Sequence, residues 1–258
     1  MEDVTATRII AVANQKGGVG KTTTTVNLSA ALAEKGRRVL VLDLDPQGNA
    51  STGLGLNPRA LERSIYDVLV KDFPIDDAIE ATQVKNLFAC PATIDLAGAE
   101  IELVTALSRE LRLRRACEPL IGEYDYIFID CPPSLGLLTI NALAAARDVL
   151  VPIQCEYYAL EGLSQLFRNV RLIQSSLNSE LDVRHVVMTM YDARTKLSEQ
   201  VVADVREYCG DVVCQTVIPR NVRISEAPSY GQPITVFDSS SRGAIAYRAL
   251  AEEVDDVE

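Results

Sequence analysis

One run, residues 14–25 (Asn-Gln-Lys-Gly-Gly-Val-Gly-Lys-Thr-Thr-Thr-Thr), restricts this chain more than any other feature. It follows an apolar stretch, Ile9-Ile10-Ala11-Val12-Ala13, that reads as a buried strand, and it precedes residues 26–35, whose apolar positions recur at helical spacing. A strand, a glycine-rich turn and a helix in that order build a cradle for phosphate. Gly17, Gly18 and Gly20 let backbone N–H groups converge on an anion. Lys21 is placed to reach terminal phosphates and the Thr22 hydroxyl to ligate Mg²⁺. The loop also carries a second lysine, Lys16, at its start. The whole segment from Lys16 through Gly17, Gly18, Val19, Gly20, Lys21 and Thr22 to Thr23 is therefore the expected phosphate-binding site.

Two more strands end on carboxylates. Val39-Leu40-Val41-Leu42 runs into Asp43-Leu44-Asp45-Pro46, and Tyr126-Ile127-Phe128-Ile129 runs into Asp130-Cys131-Pro132-Pro133-Ser134. In an open parallel sheet ligands sit at the carboxyl ends of strands, so these aspartates share an edge with the phosphate loop. Asp43 and Asp130 are read as holding Mg²⁺ through water, and Asp45 as orienting the attacking water. The competing reading of Asp43 and Asp45 is that they cap the turn that follows, and of Asp130 that it is structural.

Strand and helix patterns alternate along the rest of the chain, which predicts a doubly wound, mostly parallel α/β sheet flanked by helices. Further strands are expected near residues 86–92, 148–153, 184–190 and 212–218. Helices are expected from Ser64, over residues 96–117, from Tyr157 to about Ser176, after residue 191 and over residues 243–254. The 96–117 helix would carry an arginine cluster, Arg109, Arg112, Arg114 and Arg115, whose ordinary reading is a solvated face. No interior linker or repeat is seen, so residues 1–258 are expected to form one domain. His185, the one histidine, is read as a strand-edge residue, since one histidine cannot assemble a usual zinc site. The six cysteines are scattered singly, as expected of buried thiols in a reducing compartment. Residues 1–5 are acidic and lack the basic and apolar regions of a signal peptide, and no apolar run reaches the 18 residues of a membrane span. A cytoplasmic protein is expected.

The pattern Lys-Gly-Gly-Val-Gly-Lys-Thr-Thr resembles the deviant Walker A motif of the ParA/MinD group of P-loop ATPases, and Asp130-Cys-Pro-Pro-Ser134 is similar to that group as well. Two further stretches, Met190-Tyr-Asp-Ala-Arg-Thr195 and Ile218-Pro-Arg-Asn-Val-Arg-Ile-Ser-Glu-Ala-Pro-Ser229, resemble the chromosomal ParA/Soj branch. The resemblance implies an ATPase with ATP and Mg²⁺ as cofactors, in which Pro219 and Asn221 border the adenine and Asp45 is needed for hydrolysis. It implies an ATP-dependent homodimer in which Lys16 crosses to the partner's phosphates. It also implies nonspecific binding to double-stranded DNA through Arg194 and Arg223, nucleoid association, and a ParB/Spo0J-type partner that stimulates hydrolysis. Lys196 and Arg220 lie beside the two arginines in sequence and join them if the fold brings the loops together. Residues 184–258 hold 8 Lys/Arg against 12 Asp/Glu, and the chain as a whole carries −11, so DNA binding requires a local patch acting within a Debye length of roughly 8–10 Å.

Two relatives of the same loop make the alternatives. A MinD-like membrane-cycling ATPase would close on a basic amphipathic helix, whereas residues 251–258 here are acidic; no membrane contact is expected. An iron–sulfur reductase of the nitrogenase iron-protein type would need cluster-ligating cysteines, for which Cys90 and Cys131 are the suggestive pair. The start of the chain likewise gives no expectation of a helix-turn-helix extension ahead of the phosphate loop.

Overall fold

The computed structural model describes residues 7–57 and 60–256; the acidic residues 1–5 and the last two residues of the acidic close lie outside that range. Among the described residues eight strands form one sheet: β1 (Arg8–Val12), β2 (Val39–Asp43), β3 (Glu80–Ala81), β4 (Leu87–Cys90), β5 (Tyr126–Asp130), β6 (Asp148–Gln154), β7 (Asp182–Tyr191) and β8 (Val213–Pro219). Their order is β3-β4-β2-β5-β1-β6-β7-β8, parallel throughout except where β3 meets β4. This is the doubly wound α/β sheet expected from the alternation.

The central strands are apolar on both faces because helices cover both. Along β1, Ile9 and Ala11 enter one core and Ile10 and Val12 the other; β2 and β5 alternate in the same way, with Leu40 and Ile127 on the first side and Val41 and Phe128 on the second. The second side is covered by α1 (Lys21–Glu34), α2 (Asn49–Gly53) and α11 (Arg242–Asp255). The first is covered by α3 (Ile65–Lys71), α4 (Leu96–Glu102), α5 (Arg112–Cys117), α6 (Leu137–Ala145), α7 (Ala159–Ser176) and α8 (Lys196–Cys209). The two short helices α9 (Val222–Glu226) and α10 (Ile234–Phe237) follow β8. Helix α11 buries Tyr247, Leu250 and Val254, so its main apolar stripe is spent on this core, while Ile245 stays exposed.

Three expectations are corrected. The helix expected over residues 96–117 is broken: α4 gives way to two 3₁₀ turns, and Ser108 takes a left-handed φ of 49°. Asn141 holds the break, its amide donating to the Arg109 carbonyl at 2.8 Å while its oxygen accepts from the Leu113 N–H at 3.2 Å. The arginines there do not share one solvated face, since Arg112 donates to Asp72 and to the Leu69 carbonyl, both at 2.8 Å. His185 is not at the edge of its strand: β7 begins three residues earlier and lies between β6 and β8, and His185 is 3% exposed, beside Arg8 and the Cys214 thiol. Helix α6 was not anticipated, because its sequence, Leu-Leu-Thr-Ile-Asn-Ala-Leu-Ala-Ala, is apolar nearly all round and shows no periodic stripe.

One close approach joins the turn after β2 to the segment after β8. Gly55 (φ +81°) and Gly231 (φ +63°) lie backbone to backbone, and a Cβ on Gly231 would stand 3.0 Å from the Gly55 Cα. Gly231→Ala is expected to cost about 1–3 kcal/mol, from strain at positive φ and from overpacking, read as a lower urea midpoint at unchanged m value.

Candidate functional site

Strand parity sets the site. Tyr126 and Phe128 face the α1 layer, so Asp130, two residues on, faces it too; Val39 and Val41 place Asp43 on the same side. Asp43 and Asp130 are register partners on neighbouring parallel strands, and both are fully buried. Two hydroxyls of α1 serve Asp130: Thr22 Oγ1 donates to Oδ2 at 2.7 Å and Thr25 Oγ1 to Oδ1 at 3.0 Å. Asp43 Oδ2 accepts from the Ser51 N–H at 2.8 Å and from its hydroxyl at 2.7 Å, and Oδ1 accepts from the Asp45 N–H at 3.2 Å. Desolvation drives both carboxyls well above their ordinary range; for Asp130 the charge of Asp43 adds to this, and the hydrogen bonds only partly offset it.

The phosphate loop is held above them by side chains. Asn14 Nδ2 donates to the Pro152 carbonyl at 2.8 Å and its oxygen accepts from the Lys16 N–H at 3.0 Å; Thr189 Oγ1 donates to the Val19 carbonyl at 2.8 Å. Gly20 takes φ +92° as it enters α1, a conformation that side chains resist. Lys21 is buried, and its Nζ donates to the Lys16 carbonyl at 3.3 Å but forms no ion pair among the described residues. Burial lowers its pKa, opposed by Asp130. A glycine-rich turn at the head of a helix, with a lysine outside any ion pair, suits a phosphate chain, and a hydroxyl on Asp130 with Asp43 in the next strand is a hard-oxygen set that suits Mg²⁺. A cleft of about 380 Å³ opens from Gly20 and Thr23 towards Met190, Pro219, Asn221 and Ile224. The Asn221 oxygen caps α9, accepting from the Arg223 N–H at 2.8 Å.

The other sequence candidates fall as follows. Asp45 is half-buried and caps its own turn, accepting from the Gln47 N–H at 3.0 Å. Lys16 Nζ pairs with Glu156 Oε2 at 3.2 Å on the surface of its own chain, and Gln154 fixes the other Glu156 oxygen at 2.6 Å. The Arg220 N–H donates to the Tyr191 carbonyl at 2.9 Å, which draws the loops after β7 and β8 together, and Arg194 and Arg220 line one cleft. Lys196 begins α8 and Arg223 lies on α9; neither lines that cleft. Cys90 and Cys131 are wholly buried in the α3–α8 layer, their thiols pushed up by desolvation, which is the opposite of an exposed cluster-ligating pair. Sequence reasoning missed Ser51, Thr25 and Glu156. The spacing of Thr25 one helical turn beyond Lys21 was the available signal for one of them; nothing local marks the other two.

The profile of a family described as "AAA domain" matches residues 7–183. The sporulation initiation inhibitor protein Soj of Bacillus subtilis is 61% identical over 247 residues, covering 96% of this chain and 98% of that protein. The chromosome partitioning protein ParA of Myxococcus xanthus is 53% identical, covering 97% and 88%. Among solved structures, a protein from Mycobacterium smegmatis described as cobyrinic acid a,c-diamide synthase with bound ADP and magnesium superposes with a TM-score of 0.84 at 43% identity, over 96% of this chain and 94% of that one. The septum site-determining protein MinD of Pyrococcus horikoshii with Mg-ADP gives 0.80 at 31%, over 97% and 96%. Among the described residues no helix is long and apolar enough to cross a membrane.

Raised folded-state carboxyl pKa values stabilise at low pH, and that stability is lost as pH rises through them. Thermal melts without nucleotide or metal are therefore expected to show a contribution from Asp130 that declines between about pH 4 and pH 8. Asp130→Asn should remove that decline, so the variant gains on the wild type as pH rises; parallel profiles would refute the buried charge.

Proposed function

We infer function from membership, for the chain belongs to the ParA/Soj family of P-loop ATPases that act in chromosome partitioning, and we propose that it uses ATP to cycle on and off DNA. The observation that carries this is the cluster at the head of α1. Unpaired Lys21, the Thr22 hydroxyl and the buried Asp43–Asp130 pair form a cation-and-anion site that Mg-ATP would complete. Mg²⁺ would supply charge neutralisation between the carboxylates and the phosphates. Residues 16–23 would hold the phosphates through backbone N–H groups and Lys21, with Thr22 as direct metal ligand and Asp43 and Asp130 acting through water. Pro219 and Asn221 would border the base in the adjoining cleft.

Two subunits would then close face to face. Lys16 would leave Glu156 and reach the partner's phosphates, offsetting charge there as an arginine finger does. Asp45 would turn from capping its loop to orienting the attacking water. The dimer would bind double-stranded DNA without sequence preference through Arg194, Arg223, Arg220 and Lys196, and two copies of a weak patch would gain by avidity. A ParB/Spo0J-type partner would stimulate hydrolysis and release. Residues 1–258 would work as one domain, in the cytoplasm and on the nucleoid.

Lys16→Gln should bind ATP as a monomer, with no ATP-induced dimer in light scattering after size exclusion; a persistent dimer would remove Lys16 from this role. Asp45→Ala should lower single-turnover hydrolysis by about 10²-fold or more while the ATP form stays on DNA. Undiminished turnover would take the water-orienting role away from Asp45.

A further inference from the structure

We propose that Arg242 completes, with Arg194 and Arg220, an entry site for one backbone phosphate of double-stranded DNA, and that Asp192 is the site's internal counter-ion. This rests on the DNA-cycling reading above and refines it to particular residues. A cleft of about 420 Å³ lies outside the base cleft and is lined by Asp192, Arg194, Arg220, Asn221 and Arg242. Three separate segments supply its charge. Arg194 lies in the loop after β7, Arg220 directly follows β8, and Arg242 opens α11 behind the Ser241 cap, whose hydroxyl accepts from the Ala244 N–H at 3.1 Å. All three guanidiniums are exposed.

Their partners rank them. Asp192 grips Arg194 at both oxygens, 2.9 Å to Nε and 2.7 Å to Nη2, and also accepts from its backbone N–H at 3.0 Å. Arg220 and Arg242 form no ion pair among the described residues. The cleft thus sets three guanidiniums against one carboxylate. The surroundings of Arg223 are the reverse: Asp238 at 2.9 Å and Glu226 at 2.8 Å hold its guanidinium over the Phe237 ring, 4.4 Å from the centroid, one cation against two carboxylates. An incoming phosphate meets two planar forks in the cleft that no ion pair holds, with the Asp192 charge felt by Arg220 but gripped by Arg194, whereas at Arg223 it must first displace two carboxylates. In a chain of net charge −11, a patch this local is what remains attractive to DNA within a Debye length.

The test measures anisotropy of a labelled random-sequence duplex with the full chain in ATP, from 50 to 200 mM salt. Wild type should bind only with ATP. Arg242→Gln should bind roughly tenfold more weakly at 0.1 M salt and lose about one unit from the slope of log K against log salt, with Arg242→Lys restoring part of both. Asp192→Asn, which keeps the acceptor for the backbone N–H, should bind more tightly than wild type. Unchanged affinity and slope in Arg242→Gln, with ATP-dependent binding of the wild type intact, would overturn this site and leave the DNA reading standing. Failure of the wild type to bind duplex in ATP would overturn the DNA reading itself.

Discussion

The molecule's chemistry hangs on the grip of two α1 hydroxyls on Asp130. That contact locks the head of the helix to the end of β5 and thereby sets where the loop, Lys21 and the β2 carboxylate must stand. It is also an unbalanced contact. A carboxylate with no solvent is poorly served by two neutral donors, and Asp43 in the next strand deepens the imbalance. Lys21 lies close enough to respond to Asp130, yet among the described residues it bonds to a carbonyl and to no carboxylate. The fold therefore concentrates unmatched charge at one edge of the sheet, which is what a site needs if it is to prefer a divalent cation and a polyanion together over either alone.

Much of this was legible in the chain. The strand–loop–helix unit, both carboxylate-terminated strands and the doubly wound sheet follow from hydrophobic runs and from glycine placement, signals that span only neighbouring residues. Strand parity puts Asp43 and Asp130 on one face only once the structure shows which helices cover which side. What stayed hidden were features set by partners far apart in sequence. Glu156 meets Lys16 across 140 residues and carries no local mark. The break between α4 and α5 is imposed by Asn141, outside the segment that looks helical. Helix α6 was invisible for a different reason: it is buried on so much of its circumference that it has no polar face to set a period.

The basic residues teach a similar lesson about counting. Arginines that stand out in sequence are not equally available in space, because their own neighbours include the acids that satisfy them. Arg194 and Arg223 are both occupied, whereas Arg220, directly after a strand end, is held by its backbone and leaves its guanidinium outward. Net charge and residue spacing give the sign of a surface; the ion-pair pattern decides which cations are left over.

The meeting of Gly55 and Gly231 has one more consequence. Gly55 lies just beyond the α2 helix that Ser51 fastens to Asp43, and Gly231 lies just beyond the segment that carries Asn221 and Arg223. Main chain against main chain offers no side chain to reshuffle, so neither segment can approach the other more closely without the partner's backbone yielding. The acidic edge of the sheet and the arginine-bearing corner are thus seated on one another through bare backbone, and a side chain at either glycine would push the two apart.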